Sequence, residues 1–251
     1  MQRLLLVAVK LTFATAMLAD DGTQDFPKGD LSLLKSWKTR SYTYNGISPG
    51  NNEVSNFGTI TLKTIVKNDA ILLDDQMKLT YRGKQLSLHL KHTCRRDRFL
   101  SPLRIESEGS GDDEVGTFVV TVDGTTASVK GKRKDRKFNL PRDTVTSWAF
   151  MRLVTLLPRD EGSVARFSHW MESEELHQKK DFKVESLGSD AIMRGERQIP
   201  CTKFRLTSDV TMPALYWVDD SGVLQRMLID RRKSIDLVEQ PSNPKPSDAS
   251  N

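Results

Sequence analysis

Alternation of apolar and polar residues with a period of two runs through most of this 251-residue chain, and it decides the fold class before any other feature. Ile60 and Leu62 alternate with Thr61 and Lys63, and Met77, Leu79 and Tyr81 alternate with Lys78 and Thr80. Leu86, Leu88, Leu90 and His92 share one face of a strand, and Ser87, His89 and Lys91 share the other. The same pattern returns at Phe99/Leu103/Ile105, Phe118/Val120/Val122 and Phe204/Leu206. Successive strand side chains point to opposite faces, so strict alternation predicts half-buried antiparallel strands. Arg82-Gly83, Asp123-Gly124 and Asp219-Asp220-Ser221-Gly222 supply tight turns between these runs. About ten to twelve strands joined by short hairpins predict a meander, either a strongly curved sheet or a half-barrel.

One stretch departs from this period. Residues 143–157 are apolar at Val145, Trp148, Ala149, Leu153, Leu156 and Leu157, which is helical spacing. Pro141 precedes it, Asp143 or Thr144 can cap it and Pro158 stops it. Asp143 and Arg152 are its only charges, so most of its surface must be covered. The concave face of the curved sheet is the simplest place for it.

The two ends of the chain read differently. Residues 1–19 combine Arg3, an apolar run at 4–9 and small residues at Ala14, Ala16 and Ala19, the layout of a secretory signal peptide. Lys10 interrupts the run, and an ordinary amphipathic helix is the alternative. Residues 20–36 read as a mobile arm with a docking patch at Leu31, Leu33 and Leu34, and residues 37–239 as one curved β domain. Residues 240–251 hold proline and serine without a large apolar side chain, the composition of a disordered tail. Beyond the first 20 residues no apolar run is long enough to span a bilayer. Export predicts a periplasmic or extracellular protein that is not transmembrane once the signal segment is removed. It also permits a disulfide between the two cysteines, Cys94 and Cys201. That bridge would close a loop of about 100 residues and contribute up to about 4–5 kcal/mol. Two buried free thiols are the alternative.

Catalytic motifs are missing. His89 and His92 fall on opposite strand faces and cannot chelate one metal through that strand. His169 and His177 flank the acidic residues Glu172, Glu174 and Glu175, but no metal-ligand spacing surrounds them. Ser168-His169 lacks the G-x-S-x-G context of a nucleophile elbow, and no phosphate loop or dinucleotide fingerprint is present. A Cys94–His92 nucleophile has favourable parity, but a bridged cysteine would be a poor one. Asp74-Asp75 and Asp112-Asp113-Glu114 read as solvated loop charges. No catalytic residue, metal or cofactor is expected.

Two features point to binding. Residues 130–137 concentrate Lys130, Lys132, Arg133, Lys134, Arg136 and Lys137 around one Asp135. Such a cluster can meet an anionic surface, or it can be a solvated hairpin that blocks edge pairing. It has no interleaved aromatics, and the formal charge of +5 drops by two when Arg3 and Lys10 leave, so nucleic acid is not an expected partner. The second feature is aromatic: Trp148 and Phe150 on the helix, with Trp170, Tyr216 and Trp217 on strands and Trp37, Tyr42 and Tyr44 on the first strand. Trp148, Phe150, Leu153, Leu157 and Trp217 would line an apolar cavity if the sheet half-wraps the helix, or would be plain core.

The last hairpin, 212–239, ends a strand in Tyr216-Trp217-Val218-Asp219, turns at Gly222 and returns through Leu224 and Arg226. With the export signal and the interrupting helix, this order resembles exported bacterial envelope proteins of unknown function over roughly residues 37–239. Their architecture is similar to that of the carriers and receptors that move lipoproteins to the outer membrane. The resemblance implies a curved antiparallel sheet with a helix in its concavity and acyl chains held between them. Three functions follow as expectations: binding of a lipid or acylated chain, docking of a filled module on another envelope component, and hydrolysis centred on His169, His177 and the acidic stretch.

Overall fold

The computed structural model describes residues 31, 34, 39–47, 54–81, 83–111, 117–131, 135–172, 177–208, 211–229 and 233–238. The expected segments 1–19 and 240–251 lie outside the described residues, as does all of 20–36 except Leu31 and Leu34. Trp37 and Asp112-Asp113-Glu114 also lie outside them. No described helix is long and apolar enough to cross a membrane.

The first eight strands are β1 (Arg40–Ile47), β2 (Val54–Val66), β3 (Ala70–Tyr81), β4 (Lys84–Arg95), β5 (Pro102–Ser110), β6 (Phe118–Asp123), β7 (Thr126–Gly131) and β8 (Arg136–Asn139). A short link leads to β9 (Thr144–Thr146), helix α1 (Ser147–Leu153) and a 3-10 turn at Val154–Leu156. The chain returns through β10 (Val164–Met171), β11 (His177–Arg194), β12 (Arg197–Ser208), β13 (Thr211–Asp219), β14 (Leu224–Ile229) and β15 (Lys233–Leu237). All 15 strands of the described residues join one sheet in the order β8-β7-β6-β5-β4-β3-β2-β1-β15-β14-β13-β12-β11-β10-β9. Every pairing is antiparallel except β9 with β10. The architecture is the expected curved antiparallel meander with one apolar helix.

The topology has a consequence. β1 and β15 pair in the middle of the sheet, and β8 and β9, which follow each other in sequence, form its two edges. The sheet curls until these edges face each other, but they share no ladder. Side chains close the gap instead: Phe138 of β8 meets Trp170 of β10 edge-on at 5.5 Å between centroids. We call this gap the seam.

Alternation sets what lies inside. On β4, Leu90, His92 and Cys94 are buried and Lys91 is exposed. Two clusters fill the interior. The larger packs Phe150 and Leu153 of α1 and Val154 of the 3-10 turn against Leu62, Leu73, Phe167, Phe204 and Tyr216. Leu34 is completely buried in it. The smaller gathers Leu90, Ile105, Val120, Val129 and Leu140 around Trp170. Trp148 touches both.

The helix is shorter than 143–157. Thr144, Val145 and Thr146 extend as β9, where β-branched side chains fit a pleated strand. Thr146 then caps α1, its Oγ1 accepting from the Ala149 N–H at 3.3 Å. Turn signals hold where the sequence placed them. Gly124 takes φ +58° between β6 and β7, and Asp219 accepts from the N–H groups of Ser221 and Val223 at 2.9 Å. At Gly188, φ +77°, the β11–β12 register shifts, and this bulge moves Ile192 to the outer face while Phe182 and Val184 point inward.

Candidate functional site

A cleft of about 500 Å³ opens at one end of the seam. The end of β4 and the start of β5 form one wall, through Arg95, Asp97, Ser101 and Pro102. The β6–β7 hairpin, through Val122, Gly124 and Thr125, forms a second, and the β8–β9 link, through Leu140, Pro141, Arg142 and Thr144, forms a third. The link is positioned by the Leu140 N–H, which donates to the Thr125 carbonyl at 2.7 Å.

The 95–101 loop is held tightly. Asp97 Oδ1 accepts from the N–H groups of Phe99 and Ser101, at 3.1 and 2.9 Å. The Arg95 N–H donates to the Ser101 carbonyl at 2.8 Å. Leu100 adopts φ +50°, in the left-handed region, and its side chain is fully buried in the main core. Left-handed backbone at a leucine costs on the order of 1–2 kcal/mol, and burial of the side chain overrides that cost. Arg95 and Arg142, by contrast, make no side-chain hydrogen bond or ion pair among the described residues.

Orphaned polar atoms collect beside the seam. Thr144 Oγ1, Trp170 Nε1 and both ring nitrogens of His92 are buried and have no hydrogen-bond partner among the described residues. Buried polar atoms in folded proteins are nearly always bonded, and each unbonded one costs about 1–3 kcal/mol. Thr144 lines the cleft.

Beneath α1 lies a second polar assembly. Arg152 is fully buried, as is its partner Asp75 on β3. Its Nη1 donates to Asp75 Oδ2 at 2.9 Å and to the Trp148 carbonyl at 3.1 Å, its Nη2 donates to Asp75 Oδ1 and to the Lys63 carbonyl, and its Nε donates to Thr64 Oγ1 at 3.3 Å. Burial raises the Asp75 carboxyl, and the guanidinium opposes that rise. Glu172 follows β10 and accepts from the N–H groups of Ser147 and Trp148, at 3.1 and 3.2 Å. Burial pushes Glu172 up to about 7 against these bonds. His92 Nε2 lies 3.8 Å from Glu172 Oε1, and burial depresses His92 to about 3. Ser147 Oγ and His169 Nε2 are 3.0 Å apart. Neither lines the cleft. This assembly fixes the helix on the sheet.

The structure redistributes the residues singled out above. Phe150, Leu153 and Leu157 are buried where the helix meets the sheet, and Phe150 stacks on Phe167 and meets Tyr216 edge-on, both at 5.2 Å. The space beside Leu157, between Val184 and Phe204, is about 20 Å³, room for one water. Phe150, Leu153 and Leu157, expected to line a cavity, are packed as core, and Trp148 is partly buried between the two clusters. Trp217 lies on the other face of the sheet: its Nε1 donates to Asp190 at 2.9 Å and Lys203 sits over its ring. Strand parity makes Tyr216, not Trp217, the inward residue. Asp74 and Asp75 stand within β3 rather than in a loop, and only Asp74 faces out, toward His89 at 2.7 Å. Both cysteines are free. Cys94 belongs to the main core and Cys201 to a small outer cluster with Ile192 and Trp217, so the sheet separates them. Lys130, Arg136 and Lys137 are exposed on β7 and β8, while Lys132, Arg133 and Lys134 lie outside the described residues. His177 begins β11.

The cleft residues were not found by sequence reasoning. Arg95, Asp97 and Ser101 look like an ordinary charged turn, and only the topology brings them to the 140–144 link.

No family model matches the sequence, and no curated protein is similar to it. The fold is similar to that of a β-barrel-like protein of domain of unknown function DUF1849 from Brucella abortus, at 9% sequence identity and a TM-score of 0.53, covering 80% of this chain and 95% of that one. At that identity the likeness concerns the fold alone.

Proposed function

We propose that this protein is a non-enzymatic binding module of the bacterial envelope, and that its ligand is amphipathic, a lipid or acylated chain. The observation that carries the reading is the seam cleft, a concave, partly polar space lined in part by Thr144, whose buried hydroxyl has no partner among the described residues. Its apolar wall, Val122, Leu140 and Pro141, continues into the smaller core cluster, where Val122 packs and Leu140 is buried. The strand edges beside it are joined by side chains, so they can part without breaking a ladder of hydrogen bonds. The polar end of the ligand would sit in the cleft and its chain would run along the seam. The filled helix–sheet contact moves the ligand away from α1.

Native mass spectrometry of the mature exported protein, followed by organic extraction and lipid analysis, tests this. A co-purifying acyl-chain species that is lost in a folded Val122→Glu variant supports the reading. A bare mass with no uptake of lysophospholipid on titration overturns it. The filled interior would then favour the second reading, a structural module docking on another envelope component.

A further inference from the structure

We infer that the seam cleft holds a tetrahedral oxyanion, a phosphate ester, between Arg95, Arg142 and the hydroxyl of Thr144. The inference rests on the binding reading above and gives its ligand a chemical class.

Arg95 comes from the end of β4 and Arg142 from the β8–β9 link, so two arginines line one cleft from different walls. Neither is neutralised by a described carboxylate. Among the described lining residues Asp97 is the one acidic side chain, and its Oδ1 is occupied by the two N–H groups that hold the 97–101 turn. The lining thus carries two positive charges against one committed negative charge. Thr144 adds a buried hydroxyl with no partner, and Ser101 adds a second hydroxyl.

Guanidinium forks match the oxygens of phosphate in bidentate geometry, and donors on several sides suit an anion with three free oxygens better than a planar carboxylate with two. Nothing lies within 4 Å of where a side chain would start at Gly124, so this edge of the cleft stays open. At about 500 Å³ the cleft has room for a group larger than phosphate alone. The Asp97 hydrogen bonds and the buried Leu100 side chain keep the Arg95–Ser101 loop in one shape despite the left-handed backbone at Leu100, which is the preorganisation an anion site needs.

The test uses the full mature chain and three probes in isothermal titration: inorganic phosphate, lysophosphatidic acid and a monoacylglycerol of the same chain length. We expect both phosphates to bind and the neutral lipid to bind at least about tenfold more weakly, with affinity falling as salt rises. The double variant Arg95→Gln/Arg142→Gln should lose about tenfold or more, and Thr144→Val a few-fold, with circular dichroism unchanged. Lysophosphatidic acid binding more tightly than phosphate identifies a lipid headgroup. Equal affinities identify a soluble phosphate ester, which upholds this inference and overturns the amphipathic one. Monoacylglycerol binding as well as lysophosphatidic acid, unaffected by the double variant, overturns the oxyanion and leaves the amphipathic reading standing. Phosphate binding unchanged in the double variant, or no binding of any probe, also overturns it.

Discussion

Arg152 of the helix and Asp75 of the third strand form a two-point ion pair with both side chains removed from water. The arginine also donates to Thr64 and to the carbonyls of Lys63 and Trp148, so its guanidinium is fully engaged. Removing one member leaves a buried charge without a partner. Arg152→Met should therefore cost about 3–5 kcal/mol, and Asp75→Asn should also destabilise. The double variant Arg152→Met/Asp75→Leu should recover much of that loss, because an apolar replacement avoids the desolvation of both charges. Urea unfolding of the three proteins checks this. Two single losses that simply add in the double variant would refute the pairing.

Glu172 and His92 give the fold an unusual response to pH. A carboxyl raised to about 7 makes the folded state bind a proton that the unfolded chain releases above about 4.5. Its contribution grows as pH falls from about 7 to 4.5, by roughly 3 kcal/mol in all. His92, depressed to about 3 from 6.5, acts in the opposite sense. Its contribution is lost as pH falls through that window. Between about 4.5 and 6.5 these two slopes oppose each other, so the stability of the natural chain should change less with pH there than that of a variant lacking the Glu172 carboxyl. Glu172→Gln should remove the compensation, and stability should fall from about pH 6.5 downward. Chemical unfolding at successive pH values measures both profiles, and parallel curves would disprove the coupling.

Much of the fold was legible because β-strand burial repeats every two residues. Leu90 and His92 went inside, and Lys91 outside, as their parity required. The turns at Gly124 and Gly222 were equally plain, since left-handed backbone favours glycine. Other features depend on contacts that no local pattern encodes. Asp75 sits beside Asp74 in sequence and reads as half of a solvated pair, and its burial depends on Arg152, 77 positions away. Thr144-Val145-Thr146 fits a helical stripe, but pairing with β10 makes it a strand. Trp217 was expected beside the helix as a cavity-lining residue, while the alternation of β13 turns Tyr216 inward and Trp217 outward. The cleft is the least legible feature, being made by three loops that meet only after the sheet has curled.

The opposite orientations of Tyr216 and Trp217 separate two kinds of aromatic loss. Phe150 packs between Phe167 and Tyr216, so Phe150→Ala should cost about 3–5 kcal/mol through an interior cavity. Trp217→Phe keeps the ring on the outer face and removes the bond to Asp190, at about 1–3 kcal/mol. That bond is the main reason why the Asp190 carboxyl lies below its ordinary range. Its titration, followed by NMR, should move upward in Trp217→Phe and stay in place in a destabilised interior variant such as Phe150→Leu. An unmoved Asp190 in Trp217→Phe would contradict the outward placement.

The cysteines supply a test that needs no substitution. Cys94 points into the main core and Cys201 into the outer cluster, and a disulfide cannot form between side chains directed to opposite faces of a sheet. Burial raises both thiols, Cys201 to about 11 and Cys94 further, so neither is a reactive thiolate near neutral pH. A thiol reagent such as DTNB should label neither in the native protein. It should label both in guanidinium without any reductant, and the melting temperature should be the same with and without dithiothreitol. Partial opening should expose Cys201 before Cys94, because Cys201 is tied to a three-residue cluster and Cys94 to the interior that unfolds last. An unfolded, unreduced chain that shows no free thiol would restore the bridge and require a different packing of β4 against β12.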